Sequence, residues 1–356
     1  MRRCTRCILP ETYPEIRFDE EGVCNYCRSY VPAAYKGEDA LQELLDAHPS
    51  GSEWDCLVPL SGGRDSTYTL LQLVTKYGRR VLVYNYDNGF VEKVAKDNIR
   101  AIAERLKVDV VSRASRNDAQ CRLARHLTRM NLRKSPAHVM TALCSGCRNG
   151  IWGGAYAVAR ERDIPLVIFG ESSMESGVFK RKYFPRFTPS SFEKALFMLK
   201  MPINFLQRKQ AARLINREFP LSPADGVIRQ INFFDYEEWN EKKILSAIQD
   251  RLEWRHQAGQ STWRFDCQIH ALVNRMTYRL IGMTEKDELY SKMIREGQIS
   301  RYEALEKISG KGMDAEQEKR VINAVLDRLQ LNEKEKGKIL RFCYGVSETG
   351  NAWDGQ

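Results

Sequence analysis

Three groups of residues in this chain have the types and spacing to do chemistry. The first is Ser61-Gly62-Gly63-Arg64-Asp65-Ser66, which sets two hydroxyls, a carboxylate and a guanidinium around a pair of glycines. The second is cysteine: six of the ten fall in three C-x-x-C pairs, Cys4/Cys7, Cys24/Cys27 and Cys144/Cys147, while Cys56, Cys121, Cys267 and Cys343 are single. The third is Gly170-Glu171-Ser172, a carboxylate and a hydroxyl directly behind an apolar run.

The glycine loop suits a phosphate. Adjacent glycines reach backbone conformations closed to other residues and leave room for an anion. A helix starting near Asp65 would aim N–H groups and the positive dipole end at it. The loop is neither a Walker A sequence, since no G-x-x-x-x-G-K-[ST] is present, nor a G-x-G-x-x-G dinucleotide turn. The plainer alternative is a tight turn with Asp65 or Ser66 as helix N-cap.

Cys4-x-x-Cys7 and Cys24-x-x-Cys27 have the spacing of a Cys4 zinc ribbon, and four thiolates leave no open position, so such a metal is structural. Cys144-x-x-Cys147 precedes a helix expected from about Asn149, where the dipole would lower a thiol pKa. Cys267, far downstream, supplies a third sulfur. Three readings stay open: a second metal or a [4Fe–4S] cluster on Cys144, Cys147 and Cys267 (zinc if His270 joins), a redox pair, or inert thiols. Glu171 is a candidate magnesium ligand or substrate acceptor, and equally a carboxylate near a helix N-cap. Asp266 and His270 are weaker candidates.

The elements that must position these groups are legible as alternating patterns. Apolar runs at 55–60, 80–86, 109–112, 165–170 and 227–234 read as strands, and stretches near 66–77, 91–106, 118–130, 149–162 and 191–216 read as helices. This alternation predicts a doubly wound parallel five-stranded α/β sheet covered on both faces. Residues 1–50 form the ribbon and a linker helix at 39–48, 51–260 the α/β domain, and 261–356 a charged helical region. The 356 residues carry a net charge of +10, which favours polyanionic partners. The surplus is partly local: 113–134 holds seven cations against Asp118, and 180–186 holds four. The first stretch reads as a solvated helix face, a grip on nucleotide-sugar phosphates or a nucleic-acid contact; the second reads as a basic loop over the site. No run approaches the ~18 apolar residues of a membrane span, and no apolar segment follows Arg2-Arg3. The expectation is a cytoplasmic protein with no membrane insertion.

S-G-G-x-D-S after a buried strand resembles the pyrophosphate loop of the N-type ATP pyrophosphatases (the PP-loop superfamily, with a HUP-like α/β fold), which includes asparagine, GMP and NAD synthetases and tRNA thiolases. The resemblance implies that Ser61, Gly62, Gly63, Asp65 and Ser66 hold the pyrophosphate and its magnesium. Arg64 takes the variable position among these cofactor-binding residues, and Tyr84 to Asn88, including Asp87 and Asn88, flank the nucleotide. It implies catalytic roles for Asp65 and Ser66, with Glu171 beside them.

The wider pattern is more specific. "CTRCILPETYPEIRFDEEGVCNYC", "DCLVPLSGGRDSTYTL", "LCSGCRNGIW", "IPLVIFGES" and "FDCQIHALVNRMTYRLIGM" together resemble the N-acetyl sugar amidotransferases of lipopolysaccharide and surface-glycan biosynthesis. That resemblance covers most of residues 1–310. It implies ATP, Mg2+ and Zn2+ as cofactors, a nucleotide-sugar substrate, and ammonia from a separate glutaminase and cyclase-like pair. The alternative within the superfamily is a thiolase acting on tRNA or a small molecule, with the sulfur chemistry on Cys144, Cys147 and Cys267. A zinc-ribbon nucleic-acid-binding module with a vestigial nucleotide fold is the reading from a different class.

Overall fold

The computed structural model describes residues 1–115, 118–133, 136, 139–175, 228–256, 262–309 and 314–345. The basic stretch 180–186 and the expected helix at 191–216 lie outside the described residues.

Five parallel strands form one sheet: β1 (Cys56–Pro59), β2 (Val81–Asp87), β3 (Asp109–Ala114), β4 (Leu166–Phe169) and β5 (Arg229–Asn232), in the order β3-β2-β1-β4-β5. A parallel strand covered on both faces reads as an unbroken apolar run, and β1 and β4 are buried at every position. Successive side chains then feed two cores. Cys56, Val58, Val81, Val83, Leu166 and Ile168 face one side. There they pack with α3 (Arg64–Thr75), α4 (Lys93–Leu106) and a later helix over Glu241–Leu252. Leu57, Leu82, Tyr84, Val167 and Phe169 face the other, against a long helix over Val139–Glu161. The short α1 (Asn25–Arg28) and the linker helix α2 (Glu38–Asp46) precede the sheet. In chain order α5 is Ala119–Leu132, α6 Val139–Glu161, α7 Glu241–Leu252, α8 Ile269–Ile281, α9 Glu285–Arg295, α10 Arg301–Ser309, α11 Ala315–Arg328 and α12 Glu333–Tyr344.

One expectation is corrected. α6 starts at Val139, ten residues before the expected Asn149, so Cys144 and Cys147 lie inside the helix. Val139, Met140 and Leu143 extend its apolar face against α8 residues Leu272, Val273 and Met276. That packing outweighs the cost of about 1 kcal/mol for Gly146 within a helix. The two cysteines therefore sit beyond the first turn, to which the dipole effect is confined.

The arginines of 113–134 are partly engaged. Arg113 pairs with Glu161 (2.5 Å), Arg125 donates to the carbonyl of Leu329 (2.7 Å), and Arg129 bonds Glu335 (3.0 Å) and the carbonyl of Gln330 (3.1 Å). They fasten the sheet region to α6 and the C-terminal helices. No helix among the described residues is long and apolar enough to cross a membrane.

The N-terminal ribbon packs on the C-terminal helices. Arg3 pairs with Asp287 (2.7 Å), the Tyr13 hydroxyl donates to Glu288 (2.5 Å), and the Ile8 N–H donates to Ser291 (3.3 Å). Ile281 and Met283 share an apolar cluster with the four N-terminal cysteines, Leu9 and Tyr13.

Candidate active site

Strand β1 delivers the glycine loop to the carboxyl edge of the sheet. Its neighbours β2 and β4 carry the strand order off in opposite directions, so the loop lies at the topological switch point, where parallel α/β sheets bind ligands. Gly62 has φ +80°, and a Cβ on it would stand 2.4 Å from the carbonyl oxygen of Ala95. Its own carbonyl is held by Trp254 Nε1 (2.9 Å) and Asn98 Nδ2 (3.3 Å), which fixes the orientation of that peptide. Gly63 is the N-cap of α3 and brings no side-chain cap to the first turn. The Gly63 N–H donates to the Ser61 hydroxyl (3.2 Å), and the Ser61 and Ser66 hydroxyls are 3.4 Å apart. A helix start with backbone donors and two hydroxyls is a cradle for an anion.

We expect Gly62→Ala to cost about 2–4 kcal/mol, from left-handed strain plus the clash with Ala95. Denaturant unfolding of wild type and variant measures that cost.

β4 closes the other side of the crevice. A Cβ on Gly170 would lie 2.9 Å from the backbone nitrogen of Ser66, so the end of β4 rests directly on the first turn of α3. Glu171 follows, half-buried; burial and then the charge of Glu171 push Tyr156 up to about 12. Ser172 is 9% exposed, and its hydroxyl has no hydrogen-bond partner among the described residues. An orphaned hydroxyl at a switch point fits a ligand group.

The loop's two charged residues behave differently from each other. Asp65 is 8% exposed; its Oδ1 accepts from Arg64 Nε at 3.1 Å. Arg64 is 2% exposed, bonds Glu241 and Thr262 (2.9 Å), and lies over the Trp239 ring at 5.0 Å. The structure thus places the Arg64 guanidinium among protein groups behind the loop. Glu241 also takes Lys307 (3.1 Å), and although burial raises its pKa, Arg64 and Lys307 hold it below the usual carboxylate range. Nothing in the sequence marks Glu241 or Lys307, because their partner is set only by the packing of α7 and α10. Asp65 and Ser66 offer oxygen donors, the chemistry of a magnesium site.

At the end of β2, Asp87 accepts from Lys96 (2.6 Å) and the Gly89 N–H (2.9 Å). Asn88 is 5% exposed; its Oδ1 accepts from the Phe90 N–H (2.8 Å). Its Nδ2 reaches Cys147 Sγ at 3.1 Å and Cys267 Sγ at 3.8 Å, so this amide points at sulfur. Cys267 arrives because residues 266–268 pair with 90–92: Glu92 N–H to Asp266 O and Gln268 N–H to Phe90 O, both 3.0 Å. The same pairing sets Asp266 beside Gly63. His270 faces Glu285, 3.7 Å away. Cys144 is exposed and Cys147 half-buried. The apolar surroundings of Cys267, then Cys147, Asp266 and Cys144, push its thiol well up. The sulfurs of Cys144, Cys147 and Cys267 do not all lie within 4.8 Å of one another.

Cys4, Cys7, Cys24 and Cys27 do meet that measure, and all four are buried. Cys4 and Cys27 are 4.0 Å apart and Cys7 and Cys24 3.8 Å. A tetrahedral ion with metal–sulfur bonds of about 2.3 Å needs sulfur edges of about 3.8 Å. Hydrogen bonds from Cys24 and then Cys7 hold Cys27 low, while its contacts with Cys27 and Cys7 push Cys24 up. A cation would resolve that conflict by taking all four as thiolates. The ligand set fits such an ion. Arg301 Nε, donating to the carbonyls of Cys4 (3.2 Å) and Cys7 (3.0 Å), braces the first pair from α10.

No family model matches the chain. The uncharacterized protein MJ1599 of Methanocaldococcus jannaschii is 25% identical over 114 residues, which are 31% of this chain and 41% of that protein. The match spans less than half of that relative's length. Among solved structures, the chain is similar to NMN synthetase from Francisella tularensis, with TM-score 0.36 and 13% identity, covering 83% of this chain and 93% of that one. It is also similar to the U34-tRNA thiolase NcsA of Methanococcus maripaludis with its [4Fe–4S] cluster (0.33, 12%, 94% and 90%). A third likeness is to the NH3-dependent NAD synthetase of Campylobacter jejuni (0.29, 12%, 60% and 89%).

Proposed function

We propose that the chain is an ATP-dependent, AMP-forming sugar amidotransferase of the PP-loop type. The observation that carries the ATP chemistry is the S-G-G-R-D-S loop at the switch point, with Gly62 locked at positive φ and the first turn of α3 lacking a side-chain cap. The sugar substrate rests on the resemblance of the quoted segments to the N-acetyl sugar amidotransferases.

An amide carbonyl is a poor electrophile. Transfer of AMP from ATP to the acetamido oxygen of a nucleotide sugar makes an imidate with a good leaving group and releases pyrophosphate. Ammonia then adds to the imidate carbon and AMP leaves with that oxygen, giving an acetamidino sugar for surface polysaccharide or lipopolysaccharide. Ser61, Ser66 and the backbone of Gly62 and Gly63 cradle the pyrophosphate. Magnesium, when bound, offsets the charge that gathers there, and Asp65 would hold it. Glu171 and Ser172 face the acceptor across the crevice. A separate glutaminase and cyclase-like pair supplies the ammonia. Zinc is the ion we assign to Cys4, Cys7, Cys24 and Cys27. The ribbon and linker (1–50), the ATP pyrophosphatase unit (51–260) and the helical region (261–356) are the three parts we propose, acting in the cytoplasm.

The test is pyrophosphate release from ATP with ammonium and a panel of N-acetylated nucleotide sugars. Release that depends on both co-substrates supports the reading; release without the sugar contradicts it.

One observation favours a second reading. Asn88 brings Cys147 and Cys267 together at the same sheet edge as the loop, the placement a sulfur-transferring PP-loop enzyme needs. A [4Fe–4S] cluster would sit there with tRNA or a small molecule as acceptor. Cys147→Ser separates the two. The amidotransferase keeps its AMP formation within about threefold, because no sulfur takes part, whereas a thiolase loses turnover by about a thousandfold or more with its ligand. Under the tRNA reading, log affinity for tRNA also falls steeply with log salt.

A further inference from the structure

We infer that Glu241 is a positioning residue for the phosphate loop: it shares the Arg64 guanidinium with Asp65 and so weakens the hold of Arg64 on that carboxylate, favouring magnesium there. The inference rests on the reading of Asp65 as a magnesium-holding residue and extends it to residues that never reach the nucleotide.

The geometry is a short chain of charges, buried at all but its Lys307 end. Lys307 Nζ meets Glu241 Oε2 at 3.1 Å, Glu241 Oε1 meets Arg64 Nη1, and Arg64 Nε meets Asp65 Oδ1 at 3.1 Å. Arg64, Asp65 and Glu241 are all less than a tenth exposed, and Thr262 bridges Arg64 and Glu241 at 2.9 and 3.2 Å. Two carboxylates therefore share one guanidinium. Arg64 meets Asp65 Oδ1 through Nε, while the Nη1 end of the fork is turned to Glu241. A buried cation that loses one anionic partner leans harder on the other. Without the charge of Glu241, Arg64 competes with magnesium for Asp65. Lys307 acts with the opposite sign, since it draws on the same Glu241 carboxylate.

Two elements set this arrangement. Glu241 opens α7, and α10 carries Lys307 at one end and Arg301, which holds the carbonyls of Cys4 and Cys7, at the other. The loop's charge balance is thus set by side chains from α7 and α10.

The experiment is calorimetric titration of magnesium into full-length protein with the non-hydrolysable α,β-methylene analogue of ATP, followed by magnesium-dependent turnover. Glu241→Gln should raise the magnesium concentration for half-saturation about tenfold, and saturating magnesium should return kcat to within about threefold of wild type. Glu241→Asp should recover most of the loss. In an Arg64→Met background, Glu241→Gln should change half-saturation less than about twofold, because its route runs through Arg64. A merely structural glutamate would keep its full effect there, and that additivity overturns the inference, as does unchanged magnesium dependence in Glu241→Gln. Should Glu241→Gln fail to fold, Lys307→Met carries the test: a lower half-saturation point supports the inference, and an equal or higher one overturns it. If wild-type protein binds the analogue without any need for magnesium, the magnesium role of Asp65 falls and this inference falls with it. Magnesium-dependent binding in the wild type, unaltered in the variants, removes only the role of Glu241.

Discussion

Asp65→Ala should abolish ATP-dependent turnover, by about a thousandfold or more, while the protein stays folded. The side chain stands at the first turn of α3 and pairs with Arg64. Removing it takes away the carboxylate proposed to hold magnesium at the point where charge moves onto pyrophosphate. Arg64 keeps Glu241, Thr262 and the Trp239 ring, contacts that the fold already supports. The stability change should therefore be small beside the catalytic one. Pyrophosphate release with ammonium and the sugar acceptor gives the rate, and a thermal melt gives the fold. Wild-type rates in the folded variant would remove Asp65 from the mechanism.

The second large effect should come from the four N-terminal cysteines. Cys4→Ser or Cys24→Ser should lower bound metal from one ion per chain toward zero and unfold residues 1–30. A structural zinc site of this kind contributes about 10–16 kcal/mol of apparent binding free energy. A whole domain has only about 5–15 kcal/mol of net stability. The segment buries little besides its sulfurs, Ile8, Leu9 and Tyr13, so it has no comparable reserve. The damage should spread, because Arg3, Ile8 and Tyr13 hold α9 and the carbonyls of Cys4 and Cys7 hold Arg301 of α10. Hydrogen exchange on chelator-treated wild type should show faster exchange in 1–30 and in 285–309, with the sheet strands protected. Metal content unchanged in both serine variants would refute the ligand set.

Much of this architecture is legible from residue order alone, for physical reasons. The central strands β1 and β4 and the first half of β2 are apolar runs, because a parallel strand buried on both faces has no polar positions to spare, while the edge strands β3 and β5 carry polar, partly exposed residues. The glycine loop is legible as a tight turn because two adjacent glycines stand between such a run and a helix; Ala95 leaves no room for a side chain at Gly62. The first four cysteines are legible because both pairs share one short spacing and lie close together in the chain.

The parts that were not legible depend on contacts across the chain. The start of α6 was misplaced because Gly146 looks like a turn until the packing of Leu143 against α8 is known. The resemblance implies that Asn88 flanks the nucleotide; that its amide also touches Cys147 and Cys267 follows from the pairing of 266–268 with 90–92. Arg64 was placed with the phosphate ligands, and its guanidinium lies among Glu241, Thr262 and Trp239. In each case residues far away in sequence decide where the helix starts or the side chain goes.

The most direct measurement of the central claim follows one oxygen atom. An N-acetylated nucleotide sugar carrying a heavy-oxygen label in its acetamido group is incubated with ATP, ammonium and the protein, and the products are read by mass spectrometry. If AMP is placed on that oxygen and then displaced, the label appears in AMP, alongside pyrophosphate and an unlabelled acetamidino sugar. Formation of ADP and orthophosphate, or of AMP without the label, would contradict the account.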